Sequence, residues 1–162
     1  GSGDVDWTLS NAALSGDGDD TLVSIERALL TAGPGDNLLD ATAFSGQASL
    51  HGGLGNDTLR GGHGDDNLDG GGGNDRIAGN QGADRANGGS GNDVILGHGG
   101  NDTLLGGAGD DSILGGDGDD VVKGHGGNDR LCGGEGFNQV VGTAAEIDEC
   151  FGDCFEDLCP DV

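Results

Sequence analysis

The chain has 162 residues, 39 of them glycine, with one Trp, no Tyr, no Met and only 32% apolar residues. Thirty acidic against six basic residues leave a formal charge of −24, a balance that keeps a chain disordered unless something cationic joins it. Such a polyanion is a poor partner for nucleic acid or an anionic membrane surface, and no apolar run approaches the roughly 20 residues of a transmembrane segment.

Residues 1–51 read as irregular β-helical coils. Trp7-Thr8-Leu9, the stretch from Ser24 to Leu30, and Ala48-Ser49-Leu50 are strand candidates. Ser15 to Val23 is nearly a nine-residue block of the kind repeated further on, and Gly33 to Leu39 is a looser one. Trp7, Leu22, Ile25, Leu38 and Phe44 are expected to face inward in this wider coil. Asp20 and Asp36 are either further cation ligands or solvated turn carboxylates.

From Gly52 to Val141 the chain is ten uninterrupted blocks of nine residues, from GGLGNDTLR to GGEGFNQVV. Positions 1 and 4 are Gly in all ten. Position 6 is Asp in nine, namely Asp57, Asp66, Asp75, Asp84, Asp93, Asp102, Asp111, Asp120 and Asp129, and Asn138 in the tenth. Position 8 is always apolar: Leu59, Leu68, Ile77, Ala86, Ile95, Leu104, Ile113, Val122, Leu131 and Val140. Three residues around position 8 make a short strand with its middle side chain inward. Positions 1 to 6 are glycine-rich enough to read as turn. Two blocks then close a coil of 18 residues, and coils stack about 4.7 Å apart around a thin core between two parallel sheets.

Odd-numbered blocks place their turns on one edge of the coil and even-numbered blocks on the other. Carboxylates stacked at that spacing repel unless a cation lies between them. Calcium suits the gap, because it takes six to eight oxygen ligands in flexible geometry. Asp57 and Asp75 would share one ion, Asp66 and Asp84 the next, and so on alternately. Five turns on each edge leave eight gaps, seven walled by Asp on both sides and one lying between Asp120 and Asn138. About seven or eight Ca2+ are expected, and seven would change the charge from −24 to −24 + 14 = −10. Binding and folding become one event.

The pattern G-G-x-G-x-D-x-U-x, with U apolar, resembles the repeats-in-toxin (RTX, hemolysin-type) calcium-binding family over residues 52–141. The resemblance implies an all-β chain, a right-handed parallel β-roll with calcium between turns. Its ligands would be the nine Asp together with carbonyls of positions 1 to 4. Carried over, those carbonyls belong to Gly52, Gly53 and Gly55, to Gly61, Gly62 and Gly64, and to Gly70, Gly71 and Gly73. They continue with Gly88, Gly89 and Gly91, with Gly106, Gly107 and Gly109, and with Gly115, Gly116 and Gly118. Position 2 departs from glycine at Asn80, His98 and His125, where a carbonyl ligand survives provided the residue adopts the turn. Residues 1–51 resemble the irregular coils found upstream of such repeats in bacterial surface proteins.

In residues 142–162, Ile147, Cys150, Phe151, Cys154, Phe155 and Leu158 recur at helical spacing, interrupted by Gly152. A short C-terminal cap over the last sheet edge is expected there. Cys132, Cys150, Cys154 and Cys159 favour two disulfides, with three pairings open, over a zinc site, since no Cys-x-x-Cys is present. Disulfides and millimolar calcium point to a secreted, extracellular or cell-surface location.

His51, His63, His98 and His125 sit at or beside glycine turns and share no motif, and neither a zinc-protease motif nor a nucleophile elbow occurs, so no enzyme is expected. Arg60, Arg76, Arg85 and Arg130 occupy outward positions that screen the acidic surface. Leu96, Leu105 and Leu114 hold position 9, which should face solvent; with Val94, Leu96 and Leu114 form either a contact patch or a tolerated exposure. Two functions follow. One is a structural protein folded by calcium, whose two open ends allow head-to-tail self-association into a filament. The other is a calcium-triggered folding module of a larger type I-secreted enzyme, toxin or adhesin.

Overall fold

A computed structural model describes the backbone at residues 7–10, 13–16 and 18–21, and backbone and side chains at residues 27–142. The expected C-terminal cap, with Cys150, Cys154 and Cys159, lies outside the described residues, as do Leu22, Ile25 and the side chain of Trp7. The described residues form strands and no helix.

A solenoid of about six turns alternates between two sheets. One sheet holds, from the C-terminal end, β15 (Arg130–Glu135), β13 (Ser112–Asp117), β11 (Val94–Gly99), β9 (Arg76–Gln81), β7 (Thr58–Arg60) and β5 (Leu38–Ala43). The other holds β16 (Gln139–Val141), β14 (Val121–Gly126), β12 (Thr103–Ala108), β10 (Arg85–Ser90), β8 (Asn67–Gly72), β6 (Gln47–Leu54) and β4 (Arg27–Thr31). All of these pairings are parallel. The position-8 side chains align in two columns, Leu59-Ile77-Ile95-Ile113-Leu131 and Leu68-Ala86-Leu104-Val122-Val140. All but the partly buried Val140 are buried, and together they form one core.

The strands are longer than the sequence suggests. From β8 to β15 each runs six residues, through positions 7, 8 and 9 of one block and positions 1, 2 and 3 of the next. Position 1 belongs to the strand because it faces inward against the carboxylate of its own block. A Cβ on Gly88, for example, would collide with Asp93 Oδ2 and lie 2.6 Å from the Gly106 carbonyl oxygen. Glycine there lets the backbone pass in extended form above a buried carboxylate. Position 2 is left-handed even at Asn80, His98 and His125, with φ of 77°, 74° and 75°, so these residues do adopt the turn.

The coil from Leu30 to Leu50 takes 20 residues, where later coils take 18. Its corner holds Phe44, fully buried as expected. Leu39, rather than Leu38, points inward, because Leu39 is the residue in register with Leu59. The near-block from Ser15 to Val23 is not a coil. Its described part is a hairpin of β2 (Ala13–Gly16) and β3 (Gly18–Thr21), with Gly16 opposite Gly18, because a Gly-Asp-Gly segment favours a tight reversal. β1 (Trp7–Ser10) joins this hairpin to the roll, antiparallel to β2 and parallel to β5.

Position 9 is not uniformly solvent-facing. Ala78, Leu96 and Cys132 are buried on one sheet, while Leu114 beside Leu96 and Leu105 on the other sheet are half-buried. His51 lies within a strand rather than a turn, its Nδ1 3.0 Å from Asp69 Oδ2.

Position 5 carries a feature that the sequence reading missed. Its side chain accepts a hydrogen bond from the position-5 N–H one turn later: Asn56 donates to Asp36 (2.7 Å), Asn74 to Asn56 (2.8 Å), Asn92 to Asn74 (2.7 Å), Asp110 to Asn92 (2.9 Å) and Asn128 to Asp110 (2.8 Å). The signal was visible as Asn or Asp in eight of ten blocks at that position. On the other edge Ala83 breaks the series, receiving nothing from the Asn101 N–H that follows it. Ala83→Asn should therefore stabilise the calcium-loaded chain by about 0.5–1 kcal/mol, measured as a shift in denaturant midpoint at saturating calcium.

Candidate metal centre

Each position-6 Asp is 1–3% exposed. Its Oδ1 accepts the N–H of the residue one turn earlier in the chain. On the first edge Asn37 donates to Asp57, Asp57 to Asp75, Asp75 to Asp93, Asp93 to Asp111 and Asp111 to Asp129, at 2.7 to 3.0 Å. On the second edge Ala48 donates to Asp66, Asp66 to Asp84, Asp84 to Asp102, Asp102 to Asp120 and Asp120 to Asn138, at 2.7 to 2.8 Å. One oxygen of each carboxylate is thus paired. The other is not: the Oδ2 atoms of Asp57, Asp75, Asp84, Asp93, Asp102, Asp111, Asp120 and Asp129 are buried with no donor at all.

What faces these oxygens, Asp129 excepted, is another oxygen. The point where a Cβ on Gly70 would sit touches Asp75 Oδ2 and is 2.7 Å from the Gly88 carbonyl of the next turn. Position-2 and position-4 carbonyls approach from the other side, those of Gly53 and Gly55 lying against Gly71 and Gly73 of the following turn. The position-3 carbonyls are already engaged, accepting the position-4 N–H of the preceding turn, as Gly72 does from Gly55 at 2.8 Å. Among the described residues no group of three or more His, Cys, Asp or Glu could hold a metal, so main-chain oxygens must complete any shell. A buried donorless carboxylate oxygen amid carbonyls fits a hard cation, and calcium tolerates that irregular oxygen set best. Bound there, calcium would supply the positive charge between stacked carboxylates.

The electrostatics agree. Burial pushes Asp84 up to about 7 and Asp75, Asp93, Asp102 and Asp111 up to about 6, against the N–H that each accepts. Neighbouring carboxylates add to the rise, Asp66 and Asp102 in the case of Asp84. Asp66 and Asp120 are raised for the same leading reason. Without a cation the fold therefore holds these groups more easily when protonated.

A family model, the RTX calcium-binding nonapeptide repeat, matches in four copies at residues 42–77, 69–104, 78–113 and 105–140. The chain belongs to the RTX calcium-binding repeat family. No curated protein and no solved structure matches it. Within this RTX roll the predicted residues are not all alike. Gly52, Gly53, Gly55 and Asp57 occupy one kind of turn, with Gly53 and Gly55 left-handed, and the blocks beginning at Gly70, Gly88, Gly106 and Gly115 repeat it. The block of Gly61, Gly62, Gly64 and Asp66 differs: neither Gly62 nor Gly64 is left-handed, and Asp66 Oδ2 accepts the Gly62 N–H at 2.6 Å. Asn37, which the sequence reading did not single out, is buried at the start of the first Asp series.

Two predictions follow from the division of labour within each carboxylate. Asp93→Asn keeps the acceptor for the Asp75 N–H but puts an amide where the donorless oxygen was. It should raise the calcium midpoint for folding by roughly three- to tenfold, while Asp93→Ala adds a further loss of about 1–3 kcal/mol from the abandoned N–H. A wild-type midpoint for Asp93→Asn would show that Oδ2 is not a ligand. The second concerns pH. Because the folded pKa values lie above the unfolded value of 3.8, protonation favours the metal-free roll below about pH 4, and that support is lost as pH rises through about 6 to 7. Protons and calcium then compete for the same oxygens. Calorimetry should show protons released on binding and a calcium midpoint that is higher at pH 5 than at pH 7.5.

Proposed function

We propose that this RTX roll is a secreted, extracellular structural module that folds where calcium is millimolar and then associates end to end. The observation that carries the reading is the set of eight buried, donorless Oδ2 atoms: their folded arrangement is repulsive without a divalent ion and cohesive with it. Each of these carboxylates is committed through Oδ1 to the backbone, which suits repeated ligation rather than acid–base catalysis, so the assigned role is non-enzymatic. In that oxidising setting the four cysteines would pair as two disulfides, tying the tail to Cys132 on β15. End-to-end association is supported by apolar side chains at both ends of the roll. Leu29 on β4, at the N-terminal edge of its sheet, is 72% exposed, and at the other end Phe137 is 91% and Val141 55% exposed. Among the described residues no helix is long and apolar enough to cross a membrane.

Family membership supports a second reading, a calcium-triggered folding module within a larger type I-secreted enzyme, toxin or adhesin. Circular dichroism and light scattering during a calcium titration after EDTA separate the two. For the structural module, β signal and particle length rise together, and Phe137→Ser preserves the first while reducing the second. A β signal that rises in a particle that stays monomeric favours the folding module. No change in β signal would remove the calcium-folding premise of both.

A further inference from the structure

The turn from Gly61 to Asp66 carries an unbroken motif, Gly-Gly-His-Gly-Asp-Asp, yet its hydrogen bonding is unlike that of its neighbours. Asp66 Oδ1 accepts the Ala48 N–H at 2.7 Å and Oδ2 accepts the Gly62 N–H at 2.6 Å. Of the nine position-6 carboxylates it alone has both oxygens paired. The cause lies in the backbone. Position 2 is left-handed in every other block, whereas Gly62 is not, and its N–H donates to the carboxylate. The wide coil beneath imposes this conformation: the His63 N–H donates to the Phe44 carbonyl at 3.2 Å, and a Cβ on Gly62 would lie 2.6 Å from the Ala41 carbonyl oxygen.

The gap is closed from above as well. Asn80, one turn later, donates its amide to the Gly61 carbonyl at 2.9 Å. Gly61 keeps the same facing oxygens as other blocks, Asp66 Oδ2 and the Gly79 carbonyl; what differs is that the Gly62 N–H already serves Asp66 Oδ2 and the Asn80 amide the Gly61 carbonyl. At the opposite end of this edge the reverse holds. Asn138 accepts the Asp120 N–H at 2.7 Å through Oδ1, as an Asp would. Asp120 Oδ2 remains donorless, and the point where a Cβ on Gly115 would sit touches both it and the Gly133 carbonyl.

We propose that the gap between Asp66 and Asp84 is closed by protein hydrogen bonds and holds no calcium, while the gap between Asp120 and Asn138 does hold one. This rests on the calcium reading above. Each ion is called for by the donorless oxygen on the N-terminal wall of its gap. The occupied gaps are those following Asp57, Asp75, Asp93 and Asp111 on one edge, and those following Asp84, Asp102 and Asp120 on the other. Asp129 Oδ2 is also donorless, but no carbonyl from a further turn lies beside Gly124.

The test is the number of calcium ions bound to the full chain at saturation, by equilibrium dialysis with elemental analysis, for wild type, Asp66→Asn and Asp84→Asn. The expected result is an unchanged count for Asp66→Asn and the loss of one ion for Asp84→Asn. Loss of an ion in both overturns the inference and leaves the calcium reading standing. Loss in neither overturns the calcium reading itself. Should Asp66→Asn fail to fold, anomalous diffraction from wild-type crystals grown with Tb3+ decides. A peak within about 2.3–2.6 Å of Asp66 Oδ2 overturns the inference; peaks beside Asp84 and Asp120 with none at Asp66 support it.

Discussion

A carboxylate buried in each half-turn, with one oxygen held by the backbone and the other facing further oxygens, is the constraint on which the roll depends. It accounts for features that would otherwise look independent. Turns must stack in register, because Asp93 Oδ1 can reach the Asp75 N–H only then, and the 20-residue coil keeps that register, with the Asn37 N–H on Asp57 Oδ1. Position 1 must lack a side chain, because the carboxylate of the same block occupies that space. The core can be thin, a single pair of aliphatic columns, because part of the cohesion comes from charge matched along the edges rather than from buried area.

Two hydrogen-bond series run along each edge in opposite directions. Position-6 side chains reach back toward the N-terminus, as Asp75 does to Asp57, and position-5 side chains reach forward, as Asn56 does to Asn74. Together they pair both N–H groups of the turn without using the carbonyls of positions 1, 2 and 4. A carbonyl oxygen has two lone pairs, so those lying beside the donorless Oδ2, such as that of Gly88 by Asp75, can still face a cation. A turn that satisfied its N–H groups through its own carbonyls would have no such surplus of oxygen. Asn37 opens one series and Asn138 closes the other, each lacking the charge that a further coil would have to share, whereas the series begun by Asn37 ends on the carboxylate of Asp129.

The same arrangement ties folding to the medium. At −24 charges the extended chain keeps its carboxylates hydrated and apart, whereas the roll brings them into register out of water. Desolvation then opposes the ionised fold, which is why Asp84 is pushed up to about 7, and a divalent cation reverses the sign of that contribution. Cohesion along the edges and affinity for the ion are therefore one quantity seen from two sides.

Much of this was legible in the sequence, because a nine-residue repeat held over ten blocks can only stack. The position-8 columns and the stacking of odd with odd and even with even turns followed from periodicity, and the G-G-x-G-x-D-x-U-x motif carried the resemblance to the calcium-binding family that the family model bears out. Three matters were decided by the tertiary structure alone. Strand length depended on where the carboxylate lay, since only a folded turn shows Asp93 beneath Gly88. The fate of Ser15 to Val23 depended on pairing partners, and a motif-like segment became a hairpin once β1 lay beside β5. The two oxygens of each Asp became distinguishable only when the turns were stacked. A sequence motif marks the residue, whereas whether the position-2 N–H meets the carboxylate, as it does at Gly62, is set by φ, which neighbouring coils impose. Asp66 and Asp84 are therefore equivalent as letters and different as sites.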